Sequence, residues 1–352
     1  MNHLSTFNFE YLSRFLGSIL LVFLLLSVSM NASLYFLHDY VKVTKLSLFQ
    51  KEPHTFTALA LGTSHSIGFN FPSLGVKGVN FHDGGGDIEE VLFKSSIILG
   101  HAVNIDVIFL SVSPGTLHMS QLYISRDIKK RKGNVISNLP LSYETFSYDF
   151  EASLQTWVLQ LFPIFEVRQV FMKLLEPVAL ERTEEVIVKP CFWLAEGIIN
   201  KKTLLLGGYR METMKAECIA EYANTTVAHH STLIELSLMA EPELPENNVG
   251  RLSLLAEILE ERKGRLILVV PPLTREYYED VRIQKWLPDH HKLLAKLAKH
   301  NNIEVFDFHD FFYEEMDGGT NDYFYDDDHL ALPGAIKFSQ ALKSAMEETQ
   351  SL

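Results

Sequence analysis

The sequence predicts an α/β protein, a three-layer α/β/α sandwich around a parallel five-stranded sheet. Three observations carry that reading. Five short runs are predominantly apolar and do not alternate cleanly with polar residues, as strands buried on both faces require. Amphipathic segments separate most of them, and strand–helix alternation of this kind builds parallel sheets. The alternation breaks once, between about residues 119 and 248, where the patterning is helical.

Taken in order, the predicted strands are "TFTALALG" (55–62), "VKGVNF" (76–81), "DVIFLSVS" (106–113), "RLILVVPP" (265–272) and "IEVFDF" (303–308). Each is rich in β-branched or aromatic residues, which suit a pleated, buried surface. The predicted helices run over 87–101, 252–263, 288–300 and 333–347. Between the third strand and the second half of the pattern, "LQTWVLQLFPIFEVRQVFMKLLEPVAL" has no strand signal, so 119–248 is expected to be a mostly helical insertion that covers the site. The expected organisation is a tail (1–14), an anchor (15–38), a tether (39–54), the first half of the catalytic fold (55–118), the insertion (119–248) and the second half (249–352).

The anchor expectation rests on 15–38, "FLGSILLVFLLLSVSMNASLYFLH", which holds no Lys, Arg, Asp or Glu. About 20 apolar residues suffice to cross a bilayer as a helix. Met30 and Ala32 fit a signal-peptidase site poorly, which favours an uncleaved transmembrane anchor over a removed leader. Arg14 precedes the span and Lys42, Lys45 and Lys51 follow it. Because long C-terminal domains translocate largely regardless of such charges, an extracytoplasmic domain is expected.

The 352 residues include 44 acidic and 31 basic ones, for a formal net charge of −13, and 47% are hydrophobic. That excludes wholesale disorder and argues against a nucleic-acid partner, since phosphate binding needs clustered Lys and Arg. One dense basic run, "RDIKKRKG" (126–133), reads as a solvated loop. The two cysteines, Cys191 and Cys218, are too few and too far apart for a Cys-x-x-Cys metal site. A disulfide between them is open outside the cytoplasm; two free buried thiols are the expectation. His229-His230 is not expected to bind metal, since adjacent histidines diverge and no carboxylate stands at ligand spacing. Neither a metal nor another cofactor is called for.

The chemistry is expected at the C-terminal ends of the strands, where an open parallel sheet gathers its loops. After the first strand comes "LGTSHSIGF", which puts Ser64 at a strand-to-helix turn with free N–H groups at the start of the following helix. After the second comes "VNFHDGGGDIEE", where Gly85 is placed for close backbone approach and an oxyanion-donating N–H, with His82 and Asp83 at the cleft border. Near the C-terminus stands "FYDDDHLALPGA" (324–335). A serine nucleophile needs a base, and a histidine base needs a carboxylate to fix its tautomer. Asp326 and His329, three residues apart, suit those roles, with Asp327 and Asp328 expected to be solvated neighbours and Pro333 to open the last helix. His65 ranks below His329 as a base because neighbours at such a turn diverge. Pro271-Pro272 and Tyr277-Tyr278 are expected to shape the rim of the cleft.

This order of blocks resembles the SGNH/GDSL hydrolase superfamily, in its membrane-anchored branch that handles acyl groups on surface polymers and includes alginate and peptidoglycan O-acetyltransferases. The matching positions are Gly62, Thr63 and Ser64, then 80–85, then "DDDHLALPGA"; the likeness covers roughly 55–113 and 264–347. The resemblance implies a flavodoxin-like sheet, Ser64 as nucleophile, His329 as base and Asp326 as its orienter. It further implies an acyl-esterase or O-acyltransferase at the cell surface, with an acylated glycan or acyl donor as substrate, the membrane and a membrane-bound acyltransferase as partners. A catalytically inactive scaffold for the same partners is the alternative. The chain departs from the family pattern twice. Thr63 stands where the family has Asp, and the third block reads "LSVSPGTL" without the usual Asn, leaving Ser111 or Ser113 as the remaining oxyanion donors.

Overall fold

The computed structural model describes residues 14–22, 25–26, 28–29, 45–82, 84, 86–120, 128–161, 192–194, 212–317 and 321–350. The chain forms two compact units, Met1–Val43 with Phe146–Glu185, and Thr44–Thr145 with Val186–Leu352. In the first, residues 14–22 are helical and present exposed apolar side chains, Phe15, Leu16, Ile19, Leu20, Leu21 and Val22 among them. Phe150–Leu161 is a second helix. Among the described residues no helix is long and apolar enough to cross a membrane. Much of the expected 15–38 span lies outside the described residues.

The second unit holds the sheet. Its strands are β1 (Ala58–Leu61), β2 (Gly78–Asn80), β3 (Val107–Ser111), β6 (Arg265–Val270) and β7 (Ile303–Asp307), in the order β2-β1-β3-β6-β7 and all parallel. Strands β4 (Phe192–Leu194) and β5 (Glu212–Met214) form a separate antiparallel pair. The insertion therefore contains strand structure that its helical patterning did not announce, because a three-residue strand is too short to show a period.

Successive strand residues point to opposite faces. On one face Leu59, Leu61, Ile108, Leu110, Leu266 and Leu268 join the core formed with α1 (Ile88–His101), α3 (Leu244–Glu260) and α4 (Leu287–Leu297). On the other, Ala58, Ala60, Phe109, Ile267 and Val269 pack with Phe338 and Leu342 of α5 (Leu332–Gln350) and with Phe71 and Leu74. Two apolar faces on one sheet explain why the strands lack polar alternation. The α1 helix is capped at its N-terminus by Asp87, whose carboxylate accepts from the Glu90 N–H at 2.9 Å. The α3 helix starts at Leu244, earlier than its apolar period indicated, since Pro245 fits a first turn. Between β5 and α3 runs α2 (Ala216–Ala240), the longest described helix of the insertion.

Cys218 is disulfide-bonded, which corrects the expectation of free thiols; two cysteines far apart in sequence carry no local sign of pairing.

Candidate active site

The turn after β1 is built around Gly62, whose φ of +104° lies in the left-handed region. A side chain there would also meet Leu110, with Cβ 2.7 Å from Leu110 Cδ1. Ser64 follows in a five-residue 3-10 segment, Ser64–Gly68. The helix expected to follow the turn is this short 3-10 segment. The segment stays short because the Ser66 hydroxyl turns back to the Leu61 carbonyl and Asn80 Nδ2 donates to the Ser66 carbonyl at 2.6 Å. The Ser64 N–H has no acceptor among the described residues, as the first N–H groups of any helical turn lack partners within it.

The loop 324–330 is pinched shut by a bridge between Phe324 and Leu330 and by Tyr325 N–H donating to the His329 carbonyl at 2.8 Å. Within it the Asp326 carboxylate accepts from the His329 N–H at 2.8 Å and from the Asp328 N–H at 3.2 Å. It also lies 2.8 Å from His329 Nδ1. His329 Nε2 is 2.5 Å from Ser64 Oγ, so Ser64, His329 and Asp326 form one hydrogen-bonded chain.

Two of the loop's carboxylates behave differently from expectation. Asp327 and Asp328 are buried, not solvated. Asp328 Oδ1 lies 2.7 Å from His329 Nδ1, and its Oδ2 lies 3.0 Å from His65 Nε2. His65 Nδ1 in turn is 2.9 Å from Thr63 Oγ1. Asp327 Oδ1 accepts from Thr226 of α2 at 2.9 Å, and its carbonyl accepts from Thr274 Oγ1 at 2.7 Å. The insertion reaches the loop again through β5, where Met214 N–H donates to the Phe324 carbonyl at 3.0 Å. His230 of α2 pairs with Tyr277 through Nδ1 at 2.8 Å and stands 3.8 Å from Asp328 Oδ2. Tyr277 is thus a buried second layer behind the loop rather than part of a rim.

The charges follow from these contacts. Burial alone would lower the His329 imidazole, but the charges and hydrogen bonds of Asp328 and Asp326 outweigh it and hold it well above its ordinary value. Burial would raise Asp328, yet His329 and His65 hold it well below the usual carboxylate range. For Asp327, burial first, then the charges of Asp328 and Asp326, push it up to about 8. Burial pushes His230 down to about 4. With Asp328 ionised and therefore acceptor-only, both His329 Nδ1 and His65 Nε2 carry hydrogens toward it.

The remaining expected site residues fall as follows. Gly85 and Asp83 lie outside the described residues. His82 is half-buried beside Asn80, its Nδ1 2.8 Å from Asn80 Oδ1. Ser111 is buried with its Oγ 3.1 Å from Ser66 Oγ; since Ser66 gives its hydrogen to Leu61, Ser111 is the donor of that pair. The Ser113 hydroxyl pairs with Thr116 at 2.9 Å. Neither serine is hydrogen-bonded to Ser64, His329 or Asp326. The donor atoms of His65, Asp328 and His329 lie within 4.8 Å of one another, near enough to hold a cation, but one carboxylate already bridges the two imidazoles. Sequence reasoning weighed His65, Asp328 and His230 without foreseeing that they meet at this loop, and it did not name Thr226. The run of three aspartates before His329 was the available signal, and it did not reveal which carboxylates turn inward.

No family model matches the chain, and no curated protein does. Among solved structures the chain is similar to one from Streptococcus pneumonia named as a candidate platelet activating factor, at 12% identity and a TM-score of 0.33, over 90% of this chain and 98% of that one. A TM-score that low carries no argument about fold or chemistry.

Proposed function

We propose that the protein is a serine acyl-esterase or O-acyltransferase of SGNH type, acting on an acylated glycan or acyl donor outside the cytoplasm. The observation that carries the reading is the continuous chain from Ser64 Oγ through the His329 ring to Asp326. A hydroxyl 2.5 Å from an imidazole nitrogen is within reach of a general base, and the base is oriented from its other nitrogen. In the mechanism, Ser64 Oγ attacks the acyl carbonyl while its proton passes to His329 Nε2. The free Ser64 N–H donates to the oxyanion, and the expected second donor is the Gly85 N–H. The leaving alcohol takes the proton from His329. Water or a sugar hydroxyl then attacks the acyl-serine, giving its proton to His329, and Ser64 is regenerated. The same triad serves both acceptors, so hydrolysis and transfer share each residue role.

The disulfide at Cys218 supports an oxidising, extracytoplasmic location. Exposed apolar side chains along 14–22 support an N-terminal membrane anchor, since contiguous apolar surface of that kind is normally covered. The engagement of Ser111 and Ser113 with neighbouring hydroxyls favours one alternative, a catalytically inactive scaffold that binds a glycan or a membrane acyltransferase.

The deciding experiment is covalent labelling of the full chain with a serine-reactive fluorophosphonate, with the modified peptide located by mass. The expected result is a single adduct on Ser64, absent in Ser64→Ala. Absence of labelling in the folded wild type overturns the enzyme reading and leaves the scaffold.

A further inference from the structure

We infer that Asp328, held by His65, is a second positioning carboxylate of this centre, so that His329 is oriented by two carboxylates and not by Asp326 alone. The inference rests on the hydrolytic reading for its meaning but on separate residues for its geometry. Asp328 Oδ1 is 2.7 Å from His329 Nδ1, against 2.8 Å for Asp326 Oδ1. The two carboxylates differ in setting. The Asp326 side chain is 20% exposed, whereas that of Asp328 is 2% exposed, and a buried charge interacts more strongly with its partner.

A buried carboxylate needs compensation beyond one imidazole. His65 provides it, through Nε2 at 3.0 Å, and Thr63 pairs with its Nδ1 from the other side. The result is a continuous path, Thr63–His65–Asp328–His329–Ser64, that enters the centre from the same turn that carries the nucleophile. Every titratable group around Asp328 fits this arrangement. His65 comes from the Ser64–Gly68 turn; His230 and Tyr277 close the far side as a neutral hydrogen-bonded pair; Asp326 and Asp327 flank it on its own loop. When His329 accepts the serine proton, the new cation faces two carboxylates. The imidazolium is stabilised more than one exposed aspartate could achieve, at the cost of a base that gives up its proton later.

The inference is tested without relying on turnover by NMR titration of the His329 ring in full-length protein carrying Ser64→Ala, alone and combined with Asp328→Asn or His65→Phe. His65→Phe keeps a ring in the stack and removes the donor to Asp328. The expected result is that Asp328→Asn lowers the His329 midpoint by about one unit or more, with a smaller fall for His65→Phe. An unchanged midpoint in folded Asp328→Asn overturns the inference. Should Asp328→Asn fail to fold, His65→Phe decides it, with an unmoved midpoint overturning it. In the otherwise wild-type background, Asp328→Asn should reduce kcat for p-nitrophenyl acetate about 100-fold with KM within about twofold, and Asp328→Glu should restore part of it. Failure of the wild type to label with fluorophosphonate would refute the hydrolytic reading while leaving the titration outcome intact.

Discussion

The His65 ring lies flat against the His329 ring, with centroids 4.8 Å apart and planes 12° apart. Asp328 sits against both rings, hydrogen-bonded to His65 Nε2 at 3.0 Å and ion-paired with His329 Nδ1 at 2.7 Å, so one buried carboxylate faces both members of the stack. The pair comes from residues 264 positions apart in sequence, Ser64's neighbour and the proposed base itself.

The first prediction concerns pH. His329 acts as a base only after losing its proton, and its value is held well above 6.5 by Asp328 and Asp326 against the effect of burial. The acid limb of kcat/KM must therefore lie above 6.5, and activity should rise with pH well past neutrality. Rates with p-nitrophenyl acetate between about pH 5 and pH 10 measure it. A limb at or below the ordinary histidine value would contradict the charge arrangement.

Asp327 gives the second prediction, on stability. Its folded value of about 8 lies above the ordinary 3.8, so the folded chain keeps a proton that the unfolded chain has lost. Its contribution is therefore full below about pH 3.8 and is lost as pH rises through about 8. Asp327→Asn, which resembles the protonated acid, should melt with the wild type near pH 4 and several degrees above it near pH 9, at about 2 °C per ~1 kcal/mol. Thermal melts followed by circular dichroism check this; parallel curves across that range would refute it.

A third prediction tests how α5 is seated. A Cβ on Gly334 would come 2.3 Å from the Tyr323 carbonyl oxygen, a backbone atom with no freedom to yield. Gly334→Ala should displace the first turn of α5 from the 324–330 loop and destabilise the fold by about 1–3 kcal/mol. Because that loop carries His329, turnover should fall in the protein that remains folded. Denaturant melts and active-site labelling measure the two effects separately, and a variant equal to wild type in both would show that the helix can shift freely.

The sheet was legible in the sequence, because a strand buried on both faces is apolar along nearly its whole length: β1 is apolar throughout, and β3 and β6 are apart from the terminal Ser111 and Arg265. The sequence by itself also determined the Asp326–His329 pairing, since three residues are a local distance that a turn can close. The placement of Ser64 followed from strand position and Gly62. The tertiary structure alone decided the rest. Whether Asp327 and Asp328 face water depends on Thr226, Thr274 and His65, which arrive from three separate elements, and no local pattern encodes such an arrival. The sequence expectation that both aspartates are solvated failed for that reason. Ser111 and Ser113 were legible as hydroxyls near a strand end, but their partners, Ser66 and Thr116, were not. Local spacing fixes what neighbours along the chain can do; burial and charge are set by what folds over them.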